Sequence, residues 1–437
     1  MIRSLQRGHA PNCSSSGSVV GAALLSTAGA AVIVNAFAWR FLRWLEGGSP
    51  PGGEPPRLRQ EGEEALLSDA EGSIAVLDAE GAEAARERGV VEVGGGQPVP
   101  GALTAPTEVH LAITDRCPVR CAGCYLEAGP QGQDRPLDGL VAELDALSAM
   151  GVLELAFGGG EVLLRPDLLD LLDEARARGM RPNLTSSGFG LSPELARALR
   201  DRVGQVNISL DGLGAIYRRV RGFEGAELGL RAIRTLSEAG VRVGVNTVLT
   251  RPLLEEEGAL AALGEAIAQA GASEWQWLRF KPAGRGAEVY EQMVPSPAQA
   301  QALWPAALAL EQSTGLVLRF DCAMMPFLVS HQPPLEALQR LAVRGCPGGH
   351  SLWARGVDGG WAPCSFVPGE AVQDPAQAWR EQPTLLAWRE RAQAPPEPCA
   401  SCEYREICRG GCRVVAAFRG QPMAADPECP RVILWAA

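Results

Sequence analysis

The residues with the most specific chemistry are Cys117, Cys121 and Cys124, spaced C-x3-C-x2-C directly after the apolar run 109–113. Thiolates are soft ligands and hold iron in iron–sulfur clusters. A loop this short can place three sulfurs on three corners of one [4Fe–4S] cube, leaving the fourth iron without a protein ligand. An open position of that kind separates a reactive metal site from a closed structural one. A zinc knuckle, or three unrelated cysteines, is the blander reading of the triplet alone.

A second group follows at Gly158, Gly159, Gly160 and Glu161. Glycines let a backbone approach a ligand closely and adopt positive φ, and a carboxylate beside them can accept hydrogen bonds from an ammonium group. A third group fills the C-terminal third: Cys346, Cys364, Cys399-x2-Cys402-x5-Cys408-x3-Cys412 and Cys429. Cys322 lies upstream as a spare, and Cys13 is incidental. Twelve cysteines in 437 residues would suit disulfides in an exported chain. Their clustering and the C-x2-C pairs favour metal instead, and iron–sulfur assembly points to the cytoplasm. The four histidines, His9, His110, His331 and His350, show no ligand spacing.

The elements that must position these groups are legible from Glu108 onward. Apolar strand-like runs occur at 108–114, 153–157, 181–186, 203–210, 241–249 and 273–280, with helical stretches at 137–150, 165–178, 192–200, 225–239 and 256–270. Alternating strands and helices build a parallel sheet with right-handed crossovers. In parallel barrels chemistry sits at the C-terminal ends of the strands, where the cysteine loop and the glycine run both fall. A helix is expected over 297–314 and a strand over 316–320, leading to Asp321 and Cys322.

The cysteine triplet with the Gly-Gly-Gly-Glu run resembles the radical S-adenosylmethionine (radical SAM) superfamily, and the C-terminal cysteines resemble its SPASM-domain branch over residues 340–432. The resemblance implies a partial (β/α)6 TIM-like barrel followed by a cysteine-rich SPASM domain. It implies that Cys117, Cys121 and Cys124 hold a [4Fe–4S] cluster whose open iron binds SAM. One electron then splits SAM, and a 5′-deoxyadenosyl radical takes hydrogen from the substrate. Gly158, Gly159, Gly160 and Glu161 match the family's Gly-Gly-Glu-Pro motif for the SAM amino group, with Val162 in place of Pro. Ser186 is the expected contact to the SAM ribose or carboxylate. Ser209, Asp211 and Arg221 match an S-L-D-G…R-G signature, with Arg221 pairing either a ligand carboxylate or a structural one. Gly284-Arg285-Gly286 recurs in the same branch without a deducible role.

The SPASM resemblance further implies two auxiliary [4Fe–4S] clusters: a distal one on Cys399, Cys402, Cys408 and Cys429, and a nearer one on Cys346, Cys364 and Cys412, with Cys322 the candidate fourth ligand. Auxiliary clusters can take the electron left when a radical product is oxidised. Relatives of this kind mostly modify peptides or proteins, and a few act on tetrapyrroles in heme biosynthesis. A peptide or protein substrate is the favoured expectation, with flavodoxin or ferredoxin as low-potential electron donor. A non-catalytic iron–sulfur electron carrier is the competing class. No general base stands out beyond a guess at Asp321. Trp275, Trp277, Trp353 and Trp361 could line a pocket or simply fill the core.

The formal charge of −11 argues against a nucleic-acid partner. The expected organisation is a tail and Pro/Gly linker over 1–60, a small β-β-α elaboration over 61–106, the barrel over 107–300, a bridge over 301–340 and the SPASM domain over 341–437. The stretch 18–39 is about the ~20 residues a bilayer span needs. Phe37, Trp39, Phe41 and Trp44, with Arg40 and Arg43, resemble an interfacial belt. A tether to the cytoplasmic face of a membrane is one reading. A packed helix, or a translation start placed too early, is the other.

Overall fold

The computed structural model describes residues 23–25, 32–34, 41, 44–45, 47–50, 54–69, 74–96, 98–334, 337–338 and 343–436. The chain divides into two compact units, Met1–Val93 and Gly94–Ala437.

In the first unit β1 (Ala23–Leu25) pairs antiparallel with β2 (Val32–Val34). A second sheet contains β3 (Arg57–Glu61), β4 (Glu64–Ser68), β5 (Ile74–Leu77) and β6 (Val91–Glu92), in the order β5-β4-β3-β6. The helix Ala79–Glu87 starts at Asp78, whose carboxylate accepts the Gly81 N–H at 2.8 Å. The expected two strands and helix are present. Two further strands, β3 and β6, complete a sheet with its own core, which an elaboration of the barrel would not need. The expected membrane span at 18–39 lies mostly outside the described residues; its described parts are β1 and β2. Among the described residues no helix is long and apolar enough to cross a membrane. Phe41 and Trp44 do not form an interfacial belt: both are 2% exposed and pack in this unit's core with Leu58 and Leu67.

The second unit is organised on β7 (Glu108–Thr114), β8 (Glu154–Gly159), β9 (Arg181–Ser186), β10 (Val206–Ser209), β11 (Val243–Leu249), β12 (Glu274–Arg279) and β13 (Val317–Phe320), all parallel. The helices Leu137–Met150, Leu168–Ala177, Pro193–Leu199, Ala226–Glu238 and Ala259–Gln269 lie between them in sequence. Strand alternation separates two faces. Val109, Leu111, Leu155, Phe157, Val206 and Ile208 are buried in one core with helix residues such as Leu140 and Leu144. The opposite face is polar and partly open. There Arg181 bonds Glu154 at 3.2 Å, and Glu274 receives Arg242 and Gln205.

The sheet grows past six strands at both edges. The helix Pro297–Thr314 begins on a capping box of Ser296 and Gln299 and ends at Gly315 with φ 68°. It returns the chain as β13 beside β12. On the other edge β14 (Leu352–Arg355) pairs parallel with β7, Ala354 opposite His110, and β15 (Trp361–Ala362) pairs antiparallel with β14. The cysteine-rich segment is therefore hydrogen-bonded into the barrel sheet, which has nine strands. Trp275, Trp277, Trp353 and Trp361 are at most 1% exposed and fill the core.

Candidate functional site

The cysteine loop leaves the C-terminal end of β7. The Arg116 N–H bonds the Thr114 hydroxyl at 3.0 Å, and the Cys117 N–H bonds the Gly129 carbonyl at 2.9 Å. The Cys124 N–H reaches the Cys121 carbonyl at 3.3 Å. The loop is clamped from outside by Arg285, whose guanidinium donates to the carbonyls of Cys121 at 3.0 Å and Ala128 at 2.9 Å. A Cβ on Gly284, where φ is 52°, would lie 2.5 Å from the Tyr125 carbonyl oxygen. The Gly-Arg-Gly element thus holds the cysteine loop in shape. Sequence reasoning left it without a role, because its partners are backbone atoms more than 150 positions away.

The glycine run is tied to the same loop. The Gly160 N–H bonds the Thr114 carbonyl at 2.7 Å, and the Glu161 N–H bonds the Arg116 carbonyl at 2.9 Å. A Cβ at Gly159 or Gly160 would lie 2.0 or 2.2 Å from those carbonyl oxygens, whereas a Cβ at Gly158 meets nothing within 4 Å. Two of the three glycines therefore serve loop packing, and Gly158 borders open space. Val162 stands in for the expected Pro without disturbing the turn. It starts a short 3-10 helix, Val162–Leu164, capped by the Glu161 carboxylate on the Leu163 N–H at 3.2 Å.

Glu161 is 1% exposed. Its carboxylate also accepts the Ser186 hydroxyl at 2.5 Å and the Ser187 N–H at 2.9 Å. Burial raises its pKa, and the two serines oppose that shift. Ser186 lies on the helix-facing side of β9 with Leu184 and accepts the Gly188 N–H at 2.8 Å. Its hydroxyl is engaged by Glu161 and not left free for the expected contact to the SAM ribose or carboxylate. Thr185, one residue earlier, lies on the polar face instead. Ser209 lies on that face too, opposite Asn246, whose Oδ1 is buried without a hydrogen-bond partner. Asp211 is 2% exposed; it accepts the Val248 N–H at 2.8 Å and the Arg221 guanidinium at 2.5 Å. Burial opposes the charge on Arg221, but Asp211 and the neighbouring Cys121 sulfur more than offset it. Arg221 thus takes the structural carboxylate and also faces Cys121.

The eleven described cysteines are all free thiols; Cys13 lies outside the described residues. They interact in three groups. Cys117 feels Cys121 and Cys124. Cys322 feels Cys346, while Cys364 feels both Cys346 and Cys412. Cys408 feels Cys399 and Cys429, and Cys429 feels Cys402. Cys322 therefore joins the group of Cys346, Cys364 and Cys412. Cys399, Cys402, Cys408 and Cys429 line one cavity of about 300 Å³.

Burial pushes Cys117 up to about 11, Cys364 up to about 12 and Cys399 up to about 11. Buried thiols that resist ionisation need a positive centre to become thiolates, and Cys346, pulled down to about 6 by Cys322, already leans to the thiolate; both kinds fit an iron–sulfur cube. Among the described residues no three His, Cys, Asp or Glu side chains close to the distances a single ion needs. A cube binds its thiolates at separate irons, not at one centre. Asp321 is committed to a structural ion pair, which weakens it as a base. It pairs with Lys281, accepts the Ala323 N–H at 3.2 Å and is held ionised below its usual range despite burial.

A parallel partial barrel whose first strand ends in a clamped three-cysteine loop defines a radical SAM fold. The radical SAM superfamily matches residues 111–262. Mycofactocin maturase MftC of Mycobacterium ulcerans is 30% identical over 341 residues, 75% of this chain and 88% of that protein. AdoMet-dependent heme synthase of Nitratidesulfovibrio vulgaris is 27% identical over 72% of this chain and 90% of its own length. PqqA peptide cyclase of Ruegeria pomeroyi is 28% identical over 77% and 90%. Among solved structures, Streptococcus suis SuiB bound to S-adenosylmethionine shares the fold at TM-score 0.61 and 17% identity, over 80% of this chain and 82% of that one. The chain belongs to the radical SAM superfamily. It is a radical SAM enzyme, and its family binds a [4Fe–4S] cluster and SAM.

Proposed function

We propose that this enzyme modifies a side chain of a ribosomal peptide or protein by hydrogen abstraction, using three iron–sulfur clusters. Cys117, Cys121 and Cys124 hold the cluster that binds SAM; once bound and given one electron, SAM supplies the 5′-deoxyadenosyl radical. The open edge at Gly158, with Ser209 and Asn246 on the polar face, borders the space for the nucleoside. Glu161, oriented by Ser186, faces its amino group. Cys322, Cys346, Cys364 and Cys412 hold the nearer auxiliary cluster, and Cys399, Cys402, Cys408 and Cys429 the distal one. The single observation that carries this reading is the gathering of the C-terminal cysteines into two sets of four beside a clamped three-cysteine loop. Likeness to PqqA peptide cyclase supports a peptide substrate. Likeness to the heme synthase supports a second reading, a tetrapyrrole substrate. A flavodoxin or ferredoxin in the cytoplasm would supply the electron.

Anaerobic reconstitution tests the proposal. Three [4Fe–4S] clusters give about twelve irons per chain. Addition of SAM and dithionite yields 5′-deoxyadenosine, and a precursor peptide raises turnover. Four irons per chain would remove the auxiliary assignment. Tight porphyrin binding without any peptide effect would favour the tetrapyrrole.

A further inference from the structure

Three buried cations stand near the cysteines of the nearer group: Arg413 beside Cys346, Arg279 beside Cys412, and Lys281, which lies between the segments of Cys322 and Cys364. Lys281 lies two residues beyond β12 and is 8% exposed. Its ammonium pairs with Asp321, the residue before Cys322. It also lies 4.5 Å from the centre of the Phe366 ring, two residues after Cys364. Phe366 in turn sits 4.6 Å from Tyr125, the neighbour of Cys124. One Nζ is therefore held between the two segments that bring Cys322 and Cys364 together, behind the ring pair that leads to the three-cysteine loop. Asp321 cannot follow the ammonium elsewhere, because its carboxylate also caps Ala323 at 3.2 Å and takes the Arg279 N–H at 3.3 Å. The Lys281 charge acts on Cys364 and, beside the Arg279 guanidinium, on Cys412, whereas at Cys322 the adjacent Asp321 carboxylate outweighs it. Burying an ammonium is costly, and a strut between two segments could be made of apolar side chains.

We propose that Lys281 is a positioning residue that sets the reduction potential of the cluster held by Cys322, Cys346, Cys364 and Cys412, making that cluster the better electron acceptor. The inference rests on the cluster assignment proposed above. Reduction adds one electron, and so one negative charge, to the cluster; a fixed cation nearby stabilises the reduced form. At an effective dielectric constant of about 20, one unit charge several ångströms away changes such an equilibrium by about tenfold or more.

The test is an anaerobic potentiometric titration followed by EPR on the reconstituted full chain, comparing wild type with Lys281→Gln, Lys281→Arg and Asp321→Asn. Lys281→Gln should weaken reduction of the near cluster about tenfold, a shift of about 59 mV to more negative potential for one electron. Lys281→Arg, which keeps the charge, should stay near wild type. Asp321→Asn should shift the potential the opposite way, and it carries the test if Lys281→Gln loses iron. Equal shifts in Gln and Arg variants, or none in Gln and Asn variants with full iron, overturn the inference. A wild-type chain lacking any near-cluster signal overturns the cluster assignment itself, so the two failures are distinct.

Discussion

Alanine placed at Gly158 and at Gly160 should separate the ligand edge from the packing edge of the same turn. At Gly160 the new Cβ would lie 2.2 Å from the Arg116 carbonyl oxygen and 2.7 Å from its carbon. Both are backbone atoms, so the strand end and the cysteine loop must move apart. Overpacking of this kind costs about 1–3 kcal/mol. The two hydrogen bonds that join the turn to the loop, Gly160 to Thr114 and Glu161 to Arg116, add about 1 kcal/mol each if lost. Gly160→Ala should therefore lower thermal stability and reduce iron at the three-cysteine site. Gly158 has no positive φ and no neighbour within 4 Å of its Cβ. Alanine there should be neutral or stabilise the fold by about 0.4–1 kcal/mol through the unfolded chain. If SAM lies along that backbone, the methyl group occupies its space. A tenfold loss of SAM affinity, about 1.4 kcal/mol, is then expected with iron content unchanged. Differential scanning fluorimetry, iron quantification and anaerobic calorimetry with SAM read the three effects. Wild-type SAM affinity in Gly158→Ala would refute the placement of the nucleoside at this strand end.

Further substitutions probe the supports around the site. Cys121→Ala should abolish 5′-deoxyadenosine formation while the C-terminal clusters keep their absorbance; loss of all iron would contradict separate sites. Cys408→Ala should lower modified product more than 5′-deoxyadenosine, read by mass spectrometry of the same reaction. Arg285→Met removes two charge-assisted bonds to the cysteine loop, each worth about 1.5–3 kcal/mol. It should cost iron at the three-cysteine site first, visible as loss of the SAM-responsive EPR signal. Arg279 is fully buried and bonds Asp426 at 2.6 and 3.0 Å and Glu428 at 2.9 Å. Arg279→Met strands those carboxylates and should cost about 3–5 kcal/mol in denaturant unfolding. An unchanged midpoint would show that the pair is solvated.

What could be read from the sequence was local, and what could not was set by partners far along the chain. Strand and helix periodicity placed β7 and the helices Leu137–Met150 and Pro297–Thr314 at the bounds observed, because each is long, regular and bounded by caps or glycine. Spacing kept Cys117, Cys121 and Cys124 on one loop, but the division of the C-terminal cysteines into two sets came from the SPASM resemblance, since spacing alone would leave Cys412 with Cys408. The sheet edges were hidden: β14 is four residues long and joins the barrel sheet through its register against β7, about 240 positions earlier. The same blindness explains Ser186. Its type suits a ligand contact, but alternation along β9 turns it toward the helices, where Glu161 meets it. Arg285, Lys281 and Arg279 share that character, since each reads as a surface charge until its partners at Cys121, Asp321 and Asp426 are brought in by the fold. All three lie within or just after the last barrel strand of the expected six, and each reaches a cysteine loop or a residue close to a cysteine. The end of β12 is therefore the place where the barrel fixes the geometry and charge of the cysteine groups, so substitutions there should alter cluster properties before they alter the barrel.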